Sequence, residues 1–365
     1  MALQELRSSA NNLDLVRFAA ASLVLVSHSY TLTARGGEPA LFNYETLGGF
    51  AVAVFFVISG FLVTGSWERE PHLVAFIRNR ALRIMPAFIA VVAIAALVLG
   101  PLLSPLPARE YFVHPQTWAY FHNLTFTQLN YSLPLVFATN PFPHAVNGSL
   151  WTLPIEVAMY GLLAVLGICG LLRRNVVTAL VLALAGVWLI GGPALLEHLA
   201  PFAPPVLPPV PVARLALWFF TGSAFWLWRH RIVYRTWLAV ALLVLAWITR
   251  GHDAGHAVLH VAMPYVVLWF AQLDLGQPLR FAGHGDFSYG MYLYAFPVQQ
   301  TFAHFGGATW PLPLYIGASF VVTLACAIAS WRCIEAPGLR LKRRMRRAEA
   351  VLQGEDVVRR APGVP

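Results

Sequence analysis

Residues 13–32 read LDLVRFAAASLVLVSHSYTL, and this stretch decides the fold. Its twenty residues are what a helix needs to cross a hydrocarbon core about 30 Å thick at about 1.5 Å per residue. It nonetheless carries Arg17 and His28, eleven positions apart. Eleven residues is close to a whole number of helical turns, so both side chains share one face, about 16 Å apart along the axis. Asp14 lies near the same stripe. An ionisable residue inside a span is costly and marks a functional pathway rather than packing. The stretch predicts a membrane helix with a cation toward one face and an imidazole toward the other, and chemistry inside the membrane.

Composition agrees. The chain has 365 residues, 58% hydrophobic and only 11% charged, against about 25% charged in a soluble domain. The net charge of +9 falls in short clusters between apolar runs, which is a membrane-topology pattern and not a nucleic-acid-binding one. Cys169, Cys326 and Cys333 form neither a metal spacing nor a disulfide framework, and no metal site is expected. Asp14, Arg17 and His28, with no convincing cleavage site after them, argue for a mature helix instead of a signal peptide.

Nine further apolar runs follow at Leu47–Trp67, Ala81–Leu103, Leu150–Leu172, Val176–Leu195, Val212–Trp228, Thr236–Thr249, His256–Leu273, Phe287–Phe305 and Leu312–Cys333. The expected fold is all-α, a polytopic integral membrane protein with about ten transmembrane helices. Arg69, Arg78, Arg80, Arg173, Arg174, Arg229, Arg231, Arg235, Arg280 and the run from Arg340 to Arg347 lie on one side, and only Arg35, Arg109 and Arg250 on the other. That bias puts both termini in the cytoplasm. It divides the chain into a transmembrane domain over residues 1–338 and a basic cytoplasmic tail over 339–365 with affinity for membrane lipid. Two outward segments stand out. Ser104–Ser149 is long and aromatic, with Trp118, Asn123, Asn130 and Asn140 suited to sugar hydroxyls or, equally, to a structural lid; Glu197–Pro211 is too rich in proline for a regular helix.

Four clusters carry the chemistry. In FIRNRALRIMP, residues 76–86, Arg80 and Arg83 share a helix face. Guanidinium forks at that depth, together with Arg17, suit the phosphate oxygens of a cytosolic donor; plain positive-inside anchoring is the alternative. In SLWTLPIEVAMY, residues 149–160, Thr152, Glu156 and Tyr160 align four apart. Counted from the membrane faces, Glu156 sits about 9 Å from the outer end and His28 about 22 Å from the inner one, at similar depth. A carboxylate holding one imidazole nitrogen leaves the other free as a general base; two independently satisfied polar residues are the alternative. Gly48, Gly49, Ser59 and Gly60 read mainly as small residues for close helix packing, with Ser59 also a candidate donor contact. The fourth cluster, Phe287–Pro297 with Ile334–Pro337, reads as mainly structural.

Taken in order, these clusters resemble the membrane acyltransferase-3 family of bacterial carbohydrate O-acetyltransferases. The resemblance runs from Leu13 to Pro337 and rests on Arg17-x10-His28, Arg80 with Arg83, Phe55-Phe56-x-x-Ser59-Gly60 and Trp151-Thr152-Leu153-x-x-Glu156. The chain departs from the pattern at Ala295, where a histidine is frequent, and at Phe88, where an aromatic hydroxyl is common. The resemblance implies an acyl-CoA co-substrate, usually acetyl-CoA, no bound cofactor, and a hydroxyl of a carbohydrate or lipid-linked glycan as acceptor, in the bacterial inner membrane. Arg17, Arg80, Arg83 and Ser59 would hold the donor. His28 would act as base, with covalent acylation of it as the alternative, and Glu156 would orient it. Trp151 and Tyr160 would face the acceptor, with Asp14 and Thr152 in orienting roles. The rival expectation is a proton-coupled transporter of a small molecule or glycolipid, since buried His and Glu also serve as proton relays; the missing internal repeat weighs against it.

Overall fold

Segments this apolar have no polar partners for their backbone except themselves, and helices satisfy every such group internally. The computed structural model describes residues 12–41, 44–190, 192–274 and 285–340. Among them are ten helices of thirteen or more residues: α1 (Leu13–Leu32), α2 (Leu47–Arg69), α3 (Leu73–Ile94), α4 (Thr152–Ile168), α5 (Arg174–Ile190), α6 (Pro209–Leu227), α7 (Thr236–Ile248), α8 (Asp253–Phe270), α9 (Ser288–His304) and α10 (Leu312–Ser330). Six are long and apolar enough to cross a membrane, counting the helical extensions of α3, α4 and α10; α5 qualifies only as a bent pair with the short helix after it, and α7, α8 and α9 are shorter. The chain is thus a helical, multi-pass membrane protein. The basic tail beyond Arg340, and Arg280, lie outside the described residues.

α1 is held against α2, α9 and α10. The closest approach is between α2 and α6: a Cβ on Gly60 would stand 1.8 Å from the Phe219 carbonyl oxygen, and one on Gly222 would stand 2.0 Å from that of Val57. The small-residue expectation holds for Gly60. Gly48 and Gly49 serve a different end. They follow a minimal hairpin, β1 (Ala40–Leu41) and β2 (Glu45–Thr46), that pairs Leu41 with Glu45 and runs into α2. A Cβ on Gly48 would lie 3.1 Å from a Glu38 carboxylate oxygen, and one on Gly49 would lie 2.2 Å from a Glu45 oxygen. The glycine pair makes room for two carboxylates.

α3 continues past Ile94 through a π-turn over Ala95–Leu99, closed by Gly100 N–H to the Ala95 carbonyl. In that register Pro101 has no N–H for the Ala96 carbonyl, and the Tyr111 hydroxyl takes its place at 2.8 Å. The segment after it, up to Ser149, folds on its own amides. The Asn123 amide donates to the Asn130 carbonyl and accepts the Asn130 N–H, both at 2.9 Å. The Asn130 amide donates to the Ala119 carbonyl at 2.9 Å, and Asn140 donates to the Gln300 carbonyl at 2.9 Å. Those amides are spent on structure, which favours the lid over a sugar-binding face.

Candidate functional site

α1, α2, α3, α4 and α9 enclose a cavity of about 130 Å³. Arg17, Ser59, Arg80, Arg83, Thr152, Glu156 and Tyr160, seven of the residues singled out from sequence, all line it. Arg80 and Arg83 project from one face of α3, as their spacing requires, and Arg17 meets them from α1.

The three guanidiniums are not equivalent. Arg17 contacts Asp14 at 2.7 Å and Asp286 at 2.9 Å. Arg83 pairs with the same Asp286 oxygen and lies 3.7 Å from Glu335. Among the described residues Arg80 has no carboxylate partner, and it stacks its guanidinium 5.8 Å from the centre of the Tyr160 ring. Asp286, just before α9, also accepts from the Ser288 hydroxyl and N–H. Burial alone would raise its pKa, but Arg17, Arg83 and the two Ser288 donors outweigh burial and hold it below the ordinary carboxylate range. Glu335 is buried in a π-turn, Trp331–Glu335, and accepts from Ser330 at 3.0 Å; such turns recur at functional positions. Ser288, Tyr289 and Tyr292 complete the wall. The fourth cluster, read as structural, therefore supplies part of the site.

On the opposite wall Tyr160 donates to Glu156. Ser59 lies 2.9 Å from the Tyr160 hydroxyl and 3.4 Å from the Glu156 carboxylate. Thr152 bonds the Tyr292 hydroxyl at 2.7 Å, and that hydroxyl donates to the Ser149 carbonyl at 2.9 Å. Tyr160, expected toward the acceptor, lies instead with the arginines. Trp151 is half-buried against the core and does not line the cavity.

The expected His28–Glu156 contact is not formed. The depth count assumed that the helix carrying Glu156 starts at the membrane surface. Instead the turn before it, Gly148–Trp151, is folded inward: Asn147, Ser149 and Leu150 are each 1% exposed, and Asn147 donates to the Leu293 carbonyl at 2.9 Å. Glu156 is thereby carried down to the arginine cavity, of which His28 is not a part. The carboxylate whose charge acts on His28 is Glu38, anchored by the Ser27 hydroxyl at 2.6 Å, which in turn accepts the Gly48 N–H at 2.8 Å. The imidazole packs edge-on against Phe296, with ring centres 5.3 Å apart, and its Nδ1 is buried without a hydrogen-bond partner. Only its being an acidic residue in the short loop between two apolar runs could have signalled Glu38 from sequence.

Two chemistries are thus separated along α1. A polybasic cavity with a hydroxyl–carboxylate wall lies at Arg17, and an imidazole with a carboxylate neighbour lies eleven residues away, about 16 Å along the axis.

Comparison with known proteins fits this layout. Residues 10–332 match a family described as an acyltransferase domain. An O-acetyl transferase of Shigella phage Sf6 is 30% identical over 341 residues, covering 89% of this chain and 95% of the relative. Nodulation protein 10 of Rhizobium leguminosarum bv. viciae is 32% identical over 364 residues, covering 91% and 94%. No solved structure matches.

Proposed function

The chain belongs to the acyltransferase-3 family and is a membrane O-acyltransferase, and from that premise we propose that it moves an acetyl group from cytosolic acetyl-CoA to a hydroxyl of a carbohydrate or lipid-linked glycan. The transporter alternative is set aside by family membership. The observation that carries the reading is the convergence of Arg17, Arg80 and Arg83 in one cavity with Ser59, Glu156 and Tyr160. Arg80, free of carboxylates, is the guanidinium ready to take donor phosphate oxygens through its planar fork. Arg17 and Arg83 supply further positive potential once Asp286 shares them with the donor.

The acyl end of the donor then passes along α1 toward His28. His28 takes the proton of the acceptor hydroxyl, whose oxygen attacks the thioester carbon. The carbon–sulfur bond breaks, and the proton returns from the imidazole to the departing thiolate, leaving ester and free thiol. Glu38 stabilises the imidazolium that forms in between. Ten spans, cytoplasmic termini and an inner-membrane location complete the proposal and place the arginines on the side where acetyl-CoA resides.

The test is acetyl transfer by the purified chain in liposomes, with radiolabelled acetyl-CoA and membrane glycan extracts. Label in a glycan, lost in His28→Ala, is the expected result. Transfer that proceeds undiminished in a correctly inserted His28→Ala would overturn the role of the imidazole, and absence of donor binding would overturn the acetyl-CoA assignment.

A further inference from the structure

A second cavity, of about 110 Å³, lies between the hairpin, α2, α5, α6 and α8 and shares no lining residue with the arginine site. Its polar and aromatic lining includes Glu45, Trp188, Arg214, Trp218, His256 and His260. Such a set is unusual among helices this apolar, and polar groups at that level are costly unless they serve something.

The charges in it cancel. Arg214 Nη1 donates to Glu45 Oε2 at 2.5 Å, in space that Gly49 leaves for the carboxylate. The imidazoles add an acceptor. His260 Nδ1 faces the His256 carbonyl at 2.7 Å. A carbonyl only accepts, so Nδ1 carries the proton and Nε2 presents a lone pair. That Nε2 is buried and has no partner among the described residues, a state that a bound donor would relieve. The ring itself is fixed, stacked on Trp218 with centres 4.0 Å apart and planes 7° from parallel.

We propose that this cavity is a subsite for a neutral polyhydroxylated ring, a sugar residue of the acceptor away from the reacting hydroxyl. One ring hydroxyl can donate to His260 Nε2, and a second can donate to Glu45 while accepting from Arg214. The remaining aromatic wall matches the apolar face of a sugar ring. A phosphate is disfavoured, because Glu45 already neutralises the one guanidinium and repels a second anion. The hairpin joins the two sites: Glu45 at its far strand faces this cavity, and Glu38 just before its near strand acts on His28. Occupancy of the cavity thereby positions an acceptor whose neighbouring residue lies at the base. The proposal rests on the carbohydrate-acceptor reading above.

The experiment is thermal unfolding of the purified full chain in nanodiscs, with methyl glycosides of common hexoses and deoxyhexoses in one arm and acetyl-CoA in the other. His260→Phe keeps a ring to stack on Trp218 and removes Nε2; His260→Gln returns an amide acceptor. A glycoside that binds the folded chain raises its unfolding temperature. The expected result is a glycoside-induced shift that is lost in His260→Phe, partly restored in His260→Gln, and accompanied by an unchanged acetyl-CoA shift in all three proteins. In transfer assays the acceptor KM of His260→Phe rises about tenfold, and the donor KM does not move. Equal glycoside shifts in the wild type and His260→Phe, or no shift with any glycoside, overturn the proposal. A failure confined to the acetyl-CoA arm falls on the donor assignment and leaves the subsite standing.

Discussion

Asp286 Oδ2 lies 2.9 Å from Arg17 Nη1 across 269 positions of sequence, and the same oxygen takes the Arg83 guanidinium. A carboxylate thus already stands between two of the three arginines that face the cavity. It adds to the neutralisation that Asp14 gives Arg17 and Glu335 gives Arg83, and it occupies a place that donor phosphates would contest.

Asp286→Asn keeps the shape and removes that charge. Acetyl-CoA affinity should rise severalfold, since the donor no longer competes with a resident anion, while the fold loses roughly 3 kcal/mol, the lower end for breaking one side of a buried ion pair. Titration calorimetry against acetyl-CoA and a parallel thermal melt read the two effects separately. A weaker donor affinity would instead make Asp286 the group that positions the arginines for binding.

The pH dependence follows from its depressed pKa. A carboxylate stabilised in the folded state contributes fully above its unfolded pKa, about 3.9, and loses that contribution as pH falls toward the folded value. The difference in unfolding temperature between wild type and Asp286→Asn should therefore be flat from about pH 5 to pH 8 and shrink only below about pH 4. A gap that closes near neutrality would show that the carboxylate is not held ionised by Arg17 and Arg83.

Arg80 and Arg83 should separate in kind. Arg80 has no carboxylate to leave behind, so Arg80→Ala should weaken acetyl-CoA binding by about tenfold or more with little loss of stability, and lysine should rescue only part of it. Arg83→Ala should weaken binding and also destabilise the fold, because it takes the guanidinium from buried Glu335 and leaves Asp286 with Arg17 as its cation. Equal stability losses in both alanine variants would contradict the assignment of Arg80 as the unpaired guanidinium.

Sequence made the arginine cavity legible because its markers are local: an eleven-residue spacing on α1, a three-residue spacing on α3, a four-residue stripe on α4. It did not reveal Asp286 or Glu335, which lie far along the chain from Arg17 and Arg83 and reach them only when α9 and α10 pack on α1 and α3. Tyr289 and Tyr292 sit among aromatic and small residues whose pattern reads as packing. A count along a helix puts Glu156 level with His28 because it presumes where the helix begins, whereas the turn at Gly148–Trp151 is packed into the protein and Glu156 meets the arginines instead. Glu38 was invisible for the opposite reason: strands of two residues leave no periodic signal.

That relocation changes the coupling expected of the imidazole proposed as base. Groups that act as one unit show losses that do not add, whereas groups in separate sites lose activity multiplicatively. Glu156 bonds Tyr160 and Ser59 in the arginine cavity, so Glu156→Gln and His28→Ala should each reduce turnover, and residual rates of the double variant should be the product of the singles. Glu38 is the carboxylate whose charge reaches His28. Glu38→Gln should slow transfer by about tenfold to a hundredfold, the scale of a lost charge-assisted contact, and leave the acetyl-CoA KM in place. Combined with His28→Ala it should cost nothing further, because without the imidazole there is no charge left for Glu38 to stabilise. Single-turnover transfer rates for the two double variants, measured at saturating acetyl-CoA, decide the matter. Non-additivity in the Glu156 pair together with simple multiplication in the Glu38 pair would return the orienting role to Glu156.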